Sequence, residues 1–167
     1  SGGVMVEMLT TRKAVGTIAY IGGFMSLPDP FVVSLVNMAV FAQESLCTPG
    51  QFVHIDRSRY GKHDFARNQL AERMLGEWLF FVDADHEFEP DLLSRLMVQM
   101  VRHNLDVVCG LYCYKDQAES PVLYMHNTEH DAYEVLADFD KNRDLVKADS
   151  TGGGCLLIRR TVFDRIK

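Results

Sequence analysis

The feature that most constrains the fold of this sequence is a run of five apolar residues, Trp78–Val82, which leads directly into Asp83, Ala84 and Asp85. Because the run does not alternate with polar residues, both of its faces should be covered, as in a central strand of a parallel sheet. Ligands of open α/β sheets bind at the carboxyl ends of the strands. The sequence therefore predicts a ligand site at the two aspartates.

The spacing of these aspartates indicates the kind of ligand. If extended backbone continues through them, a period of two points Asp83 and Asp85 to the same side. Two converging carboxylates repel each other unless a cation lies between them or one of them stays protonated. Mg²⁺ and Mn²⁺ take oxygen ligands and commonly share them with substrate phosphates, so we predict one of these ions here. A solvated turn after the strand, where aspartate is common, is the alternative interpretation.

Composition narrows the class of protein. With 167 residues, 47% of them hydrophobic and 24% charged, the chain should form one globular domain with a sizeable core. The net charge of -6 and the lack of a basic stripe argue against nucleic-acid partners. No apolar run approaches the roughly 20 residues that span a bilayer, and we expect no transmembrane segment. Four cysteines without CxxC spacing favour free thiols, so we predict a cytoplasmic protein.

Strand and helix patterns alternate along the chain. Helices are predicted from Asp29 as N-cap and Pro30 as first helical residue, over Phe65–Leu75, and from Pro90. The three-to-four spacing in the first helix predicts a buried stripe of Phe31, Leu35, Met38 and Ala42. Leu75 and Val101 are predicted to face inward at the ends of the second and third helices. Between residues 115 and 150 the pattern breaks into short extended pieces that resemble hairpins. This alternation predicts a single α/β domain over residues 4–167, with a mostly parallel sheet flanked by helices. The predicted strands of that sheet are Ala14–Ile21, Gln51–Ile55, Trp78–Val82, Asp106–Leu111 and Cys155–Ile158.

An ordered set of motifs surrounds the acidic pair. It consists of Gly61, Ala66-Arg67-Asn68, Gly76-Glu77, Asp83-Ala84-Asp85 and Glu89-Pro90-Asp91-Leu92-Leu93, with later blocks at residues 106–112 and 152–160. From about Phe52 to the end, this set resembles a metal-dependent, Rossmann-like nucleotide-sugar glycosyltransferase of the family-two-like group. The resemblance implies a nucleotide-binding half at residues 4–111 and the start of an acceptor half at residues 112–167.

The resemblance also assigns roles to the acidic residues. Asp85 would bind a metal ion that bridges the diphosphate of the donor. Asp83 would hold the ribose or a metal-bound water, which makes it both a nucleotide and a metal residue. Asp56, at the end of the second predicted strand, would contact the edge of the nucleobase. His86 could contact metal or phosphate, and an exposed turn histidine is the alternative.

The basic and polar residues complete this predicted site. Arg67 and Asn68 would hold the nucleotide or brace the aspartate loop, and Lys62 would add positive charge near the diphosphate. Each of the three also has a structural alternative on a helix surface or in solvent. The candidates on the substrate side are Tyr112, Lys115 and Gly153.

The expected reaction moves a sugar from a nucleotide-diphosphate sugar to an acceptor hydroxyl on a glycan, a lipid or a protein. Inverting members of the family supply a catalytic carboxylate from beyond the glycine block, and this chain stops soon after that block. We therefore expect the C-terminal part to be truncated, with Asp149 as a weak candidate for the general base. Two alternatives remain open, a catalytically incomplete nucleotide-sugar-binding module and a haloacid-dehalogenase-type phosphatase with an aspartate nucleophile.

Overall fold

The structure, a computed structural model, describes residues 12–22, 26–59, 62–114, 117–136, 139–140 and 143–166. Strands and helices alternate through the first two thirds of the chain. They are β1 (Lys13–Ile21), α1 (Asp29–Leu46), β2 (Gln51–Ser58), α2 (His63–Arg73), β3 (Trp78–Val82), α3 (Leu92–Arg102) and β4 (Val107–Cys109). The remainder consists of β5 (Cys113–Tyr114), β6 (Gln117–Pro121), β7 (Leu123–Asn127), β8 (Ala132–Val135), β9 (Ser150–Thr151), β10 (Cys155–Arg159) and α4 (Arg160–Ile166).

The main sheet has the strand order β2-β1-β3-β10-β4. β1 pairs in parallel with both β2 and β3, whereas β10 pairs antiparallel with both β3 and β4. Four of the five strands thus share one direction, which confirms the predicted α/β fold with a mostly parallel sheet. The strand that runs the other way, β10, is entered from short hairpins and not through a helical crossover.

β3 lies at the centre of the sheet and its five residues are all buried. Phe80 and Val82 pack into a core with α1 and α3 on one face of the sheet. Leu79 and Phe81 pack into a second core with α2 on the other face. The apolar run therefore lacks alternation because helices cover both faces, as the sequence predicts.

The buried stripe of α1 is the predicted one, with Phe31, Leu35, Met38 and Ala42 facing the core. The predicted N-cap is wrong by one residue. Asp29 is already helical, and the capping position is Pro28, which forms no side-chain cap.

Two predicted inward-facing residues at the ends of the other helices are also wrong. Val101 of α3 is 66% exposed and Leu75, just after α2, is 44% exposed. In each case the last core residue is a neighbouring methionine, Met100 or Met74, whose long and flexible side chain reaches the core.

β2 extends beyond its predicted end. The ladder with β1 continues to the pair of Ile21 with Ser58. Asp56, the predicted end of the strand, therefore lies within it, and so does Arg57, which the polar and basic run up to Lys62 had placed in a loop. The hairpin predicted after residue 115 is present, since β7 pairs antiparallel with β8. No helix in the described part of the chain is long and apolar enough to cross a membrane.

All four cysteines are free, as predicted. Their burial is uneven, because Cys155 lies in the core while Cys113 is exposed. The expectation of buried thiols therefore holds for Cys155 and is wrong for Cys113.

Candidate functional site

The acidic pair follows the last residue of β3, at the carboxyl end of the central strand. The backbone N–H of Asp83 donates to the carbonyl of Gly154 at 2.9 Å, which joins the aspartate loop to the glycine block before β10. Nη2 of Arg67, on α2, lies 3.3 Å from Oδ1 of Asp83. The ring of Phe81 lies beneath this arginine, with 5.9 Å between the ring centroid and Cζ. The ring of Phe81 and the carboxylate of Asp83 together hold the guanidinium of Arg67 in place.

The glycine block closes over this ion pair. A Cβ atom on Gly153 would overlap the guanidinium of Arg67, and one on Gly154 would come within 2.9 Å of Oδ2 of Asp83. The backbone of residues 153 and 154 therefore approaches the charged groups as closely as only glycine allows. Gly153, predicted on the substrate side, lies directly against Arg67.

Tyr112 and His86 contact the same glycine block. The N–H of Gly154 donates to the Tyr112 hydroxyl oxygen at 3.1 Å, and Nδ1 of His86 lies 3.1 Å from the Gly154 carbonyl. Burial raises the pKa of the Tyr112 hydroxyl, and the negative charge of Asp83 adds to the rise. Tyr112 therefore remains a neutral hydroxyl, which can donate one hydrogen bond to a ligand.

Asp85 is the open member of the acidic pair, with 67% of its side chain exposed. Its Oδ1 lies 3.9 Å from Nε2 of His86. Among the described residues, no group of three possible ligands surrounds a common metal position. A site with one or two protein ligands still fits Mg²⁺ or Mn²⁺, since such ions usually keep several waters and share substrate phosphates. The residues present are therefore compatible with a divalent ion completed by a diphosphate.

A cleft of about 1410 Å³ opens beside the aspartate loop. Its wall includes Asp83, Asp85, His86 and Tyr112, and it continues along α3 towards residues 143–146. The acidic pair thus borders a cleft, and Asp83 contacts Arg67. Ala84 and Asp85 form a turn, in which the N–H of His86 donates to the Asp83 carbonyl at 3.2 Å, so the extended backbone does not continue through the pair. The alternative of a solvated turn therefore holds for Asp85 and is wrong for Asp83.

Asp56 lies two strands away from the acidic loop. In the parallel ladder it is level with Ala19 of β1, which in turn is level with Phe81 of β3. Its carboxylate is bound by Arg73 of α2, with Nε at 3.0 Å and Nη2 at 3.2 Å. No motif in the sequence predicts this pair, and its one signal is the position of Asp56 shortly before a helix that carries basic residues.

The other predicted residues lie in more varied places. Lys62 is exposed at the N-cap position of α2, and Asn68 is exposed on the same helix. Asp149 accepts a hydrogen bond from the backbone of His126 at 3.0 Å, in the small sheet of β7, β8 and β9. Lys115 lies outside the described residues.

A mostly parallel sheet between helices, with an acidic pair beside an arginine at its carboxyl edge, defines a Rossmann-like α/β protein, a class whose ligands bind at that edge. The model of the family described as Glycosyl transferase family 2 matches residues 39–167. The chain therefore belongs to glycosyl transferase family 2, whose members use nucleotide-sugar donors. This confirms the resemblance and decides against a haloacid-dehalogenase-type phosphatase. Among the curated proteins, none matches the chain.

Proposed function

We propose that this domain transfers a sugar from a nucleotide-diphosphate sugar to an acceptor hydroxyl, with Mn²⁺ or Mg²⁺ held at Asp83 and Asp85. The observation that supports this most is that the two carboxylates have different surroundings. Asp83 is neutralised and oriented by Arg67, whereas Asp85 is open to the cleft. One carboxylate is thus positioned for the ribose or a metal-bound water, and the other is free to bind the ion.

The charges of the site suit departure of a nucleoside diphosphate. When bound, the divalent ion acts as a Lewis acid and offsets the negative charge that develops on the diphosphate. Arg67 is a fixed cation next to that position, and Lys62 contributes a second positive charge from the start of α2. Asn68 donates hydrogen bonds to the nucleotide from the same helix, and Asp56 contacts the nucleobase from β2.

The acceptor occupies the cleft on the other side of the aspartate loop. Tyr112, in the wall of this cleft, and Gly153, which lies against Arg67, contact the transferred sugar. Lys115, the third candidate on the substrate side, follows Tyr112 by three residues. The acceptor hydroxyl needs a general base within hydrogen-bond reach, for which Asp149 is the weak candidate. The acceptor is a glycan, a lipid or a protein.

A thermal-shift panel of nucleoside diphosphates, each with and without Mn²⁺, tests the donor site. A ligand that binds only the native state raises the melting temperature. At a ligand concentration of about a hundred times Kd, it adds about 2.7 kcal/mol to the free energy of unfolding. We expect a shift that needs both the nucleotide and the metal. Calorimetric titration of Asp85→Ala should show loss of metal-dependent nucleotide binding with the fold intact.

Asp164→Ala is the matched control, because Asp164 is exposed on α4. Unchanged nucleotide affinity in Asp85→Ala would contradict the proposal. Incubation of the wild type with a nucleotide sugar and Mn²⁺ then separates the transferase from a module that only binds. Release of nucleoside diphosphate is expected from the transferase alone.

A further inference from the structure

His86 is held by its neighbours in the manner of a metal-binding histidine. Its Nδ1 lies 3.1 Å from the carbonyl oxygen of Gly154. A carbonyl can only accept a hydrogen bond, so Nδ1 carries the proton and Nε2 of the neutral ring carries the lone pair. Histidines that bind metals almost always donate their other ring N–H to a carbonyl, a carboxylate or water.

Two further contacts fix the direction in which the ring points. The His86 and Tyr112 rings are 4.9 Å apart between centroids, at an angle of 54°. The ring also lies so close to Gly154 that a Cβ atom added there would come 2.7 Å from Cε1 of His86. The ring is therefore oriented before any ligand binds, while 25% of the side chain remains exposed.

Nε2 of this ring faces the open carboxylate. It lies 3.9 Å from Oδ1 of Asp85, which is too long for a hydrogen bond. Two ligand atoms on one ion with bonds of about 2.1 Å are about 3.0 Å apart in cis and about 4.2 Å apart in trans. The observed separation is about 0.9 Å longer than the cis distance, a difference that a rotation of the exposed Asp85 side chain can remove. One cation can then bind both Nε2 of His86 and Oδ1 of Asp85.

We propose that Nε2 of His86 is a ligand, together with Asp85, of the divalent ion in the donor site. This inference rests on the proposed function, and it adds a nitrogen atom to a set of ligands otherwise made of oxygen. Mg²⁺ strongly prefers oxygen and binds imidazole poorly, whereas Mn²⁺, a first-row transition ion, takes oxygen ligands and also accepts imidazole. The site therefore prefers Mn²⁺ to Mg²⁺.

Pulsed electron paramagnetic resonance of Mn²⁺ tests this directly. The full chain, labelled with ¹⁵N-histidine, is measured with Mn²⁺ alone and with Mn²⁺ plus each of ADP, GDP, CDP and UDP. The label separates a histidine nitrogen from nitrogens of the nucleobase. The informative variant is His86→Asn, whose amide can still donate to Gly154 but has no atom at the position of Nε2.

His126→Asn is the matched control, since His126 also lies beside an aspartate, with Nε2 3.1 Å from Oδ1 of Asp131 in the small sheet. We expect ¹⁵N coupling to bound Mn²⁺ in the wild type and in His126→Asn, and its loss in His86→Asn. Mn²⁺ affinity should fall at least about tenfold in His86→Asn, and Mg²⁺ affinity should fall less.

Two different failures are distinguishable. Bound Mn²⁺ without ¹⁵N coupling in the wild type, or coupling that persists in His86→Asn, overturns the role of His86 alone. If the wild type retains no Mn²⁺ with any of the four nucleotides, the metal site of the proposed function fails and the role of His86 fails with it.

Discussion

Arg67 and Asp83 form an ion pair that joins α2 to the end of β3, with 3.3 Å between Nη2 and Oδ1. About a third of each side chain is exposed, so the pair itself stabilises the fold by about 1 kcal/mol or less. Its larger effect is on geometry. The arginine is fixed against Phe81 and Gly153, where it orients the carboxylate of Asp83.

The first prediction follows from this position. Arg67→Ala should weaken metal-dependent binding of nucleoside diphosphate by about tenfold to hundredfold, since a hydrogen bond to a charged group is worth about 1.5–3 kcal/mol. The nucleotide affinity of Arg67→Lys should lie between those of the wild type and Arg67→Ala, because lysine keeps the positive charge but lacks the paired N–H donors of the guanidinium. Calorimetric titration measures the affinities.

The control for Arg67 is Arg165→Ala, which removes an exposed arginine of α4 that pairs with Asp106. Chemical denaturation should show that Arg67→Ala and Arg165→Ala have nearly equal stability. If Arg67→Ala instead lost several kcal/mol of stability with unchanged nucleotide affinity, the arginine would be structural.

Sequence patterns predict most of the sheet and the two elements, β3 and α2, that position the acidic pair and Arg67. The buried run before Asp83 and Asp85 determines the position of β3, and the motif around Arg67 places α2 beside it. These predictions succeed because each rests on local periodicity or on a motif of fixed spacing.

Relationships between distant residues are harder to predict. A strand has the same pattern in either direction, so the antiparallel direction of β10 has no local signal. Asp56 looks like a strand end because a polar and basic run begins at Arg57, yet the ladder with β1 continues through both residues and Arg73 neutralises Asp56. The contact of His86 with Gly154 joins residues 68 positions apart and depends on the closed glycine block.

The second prediction concerns Gly154. A methyl group there would come 2.7 Å from Cε1 of His86, 2.9 Å from Oδ2 of Asp83 and 3.2 Å from Cζ of Tyr112. All three side chains lie in the wall of the open cleft, so they can be displaced into it. Gly154→Ala should therefore cost little stability and should weaken Mn²⁺-dependent nucleotide binding at least about tenfold, because the side chains of His86 and Asp83 leave their positions. Calorimetric titration and chemical denaturation together measure the two effects.

Gly50→Ala gives the opposite pattern and serves as the control. Gly50 has φ of 86° and open space around it, so alanine there should cost about 1–2 kcal/mol of stability without changing nucleotide affinity. Equal nucleotide affinities in wild type and Gly154→Ala would show that the approach of Gly154 is not needed for the site.

The third prediction concerns the two consecutive arginines at the end of β10 and the start of α4. Arg159 donates to the carbonyls of Leu105 at 2.7 Å and Met100 at 3.2 Å, which caps the end of α3. Arg160 donates to the carbonyl of Gly76 and, at 3.0 Å, to that of Met74, just beyond α2. The two arginines at the end of β10 and the start of α4 thus donate hydrogen bonds to backbone carbonyls at the C-terminal ends of two helices, which lie on opposite faces of the sheet.

Arg160→Ala should lower the free energy of unfolding by about 2–3 kcal/mol, since it leaves two partly buried carbonyls without their charged donor. Arg165→Ala should change it by about 0.5 kcal/mol or less. Urea denaturation followed by circular dichroism compares the two variants. Equal midpoints would mean that water replaces the guanidinium at no cost.

The last prediction concerns alkaline stability. Burial raises the pKa of the Cys155 thiol from its ordinary value of 9.0 to about 11. As pH rises through this interval, the thiol of the unfolded chain loses its proton before that of the folded chain, so the unfolded state is increasingly favoured. The contribution of the protonated thiol to the free energy of unfolding is fully present below the thiol pKa of the unfolded chain and is lost as pH rises through that of the folded chain. For a difference of about two pKa units, this contribution is about 3 kcal/mol.

Cys155→Ala removes this titration, so its stability should depend less steeply on pH across that interval. Its stability near neutral pH should be lower than that of the wild type, because a buried side chain is shortened. Denaturation in reducing buffer at a series of pH values gives both curves. Subtracting the curve of Cys155→Ala from that of the wild type removes the contributions of the other cysteines and of Tyr112, which are common to both. If the two curves of stability against pH were parallel, Cys155 would ionise as an exposed thiol does, and the prediction would be wrong.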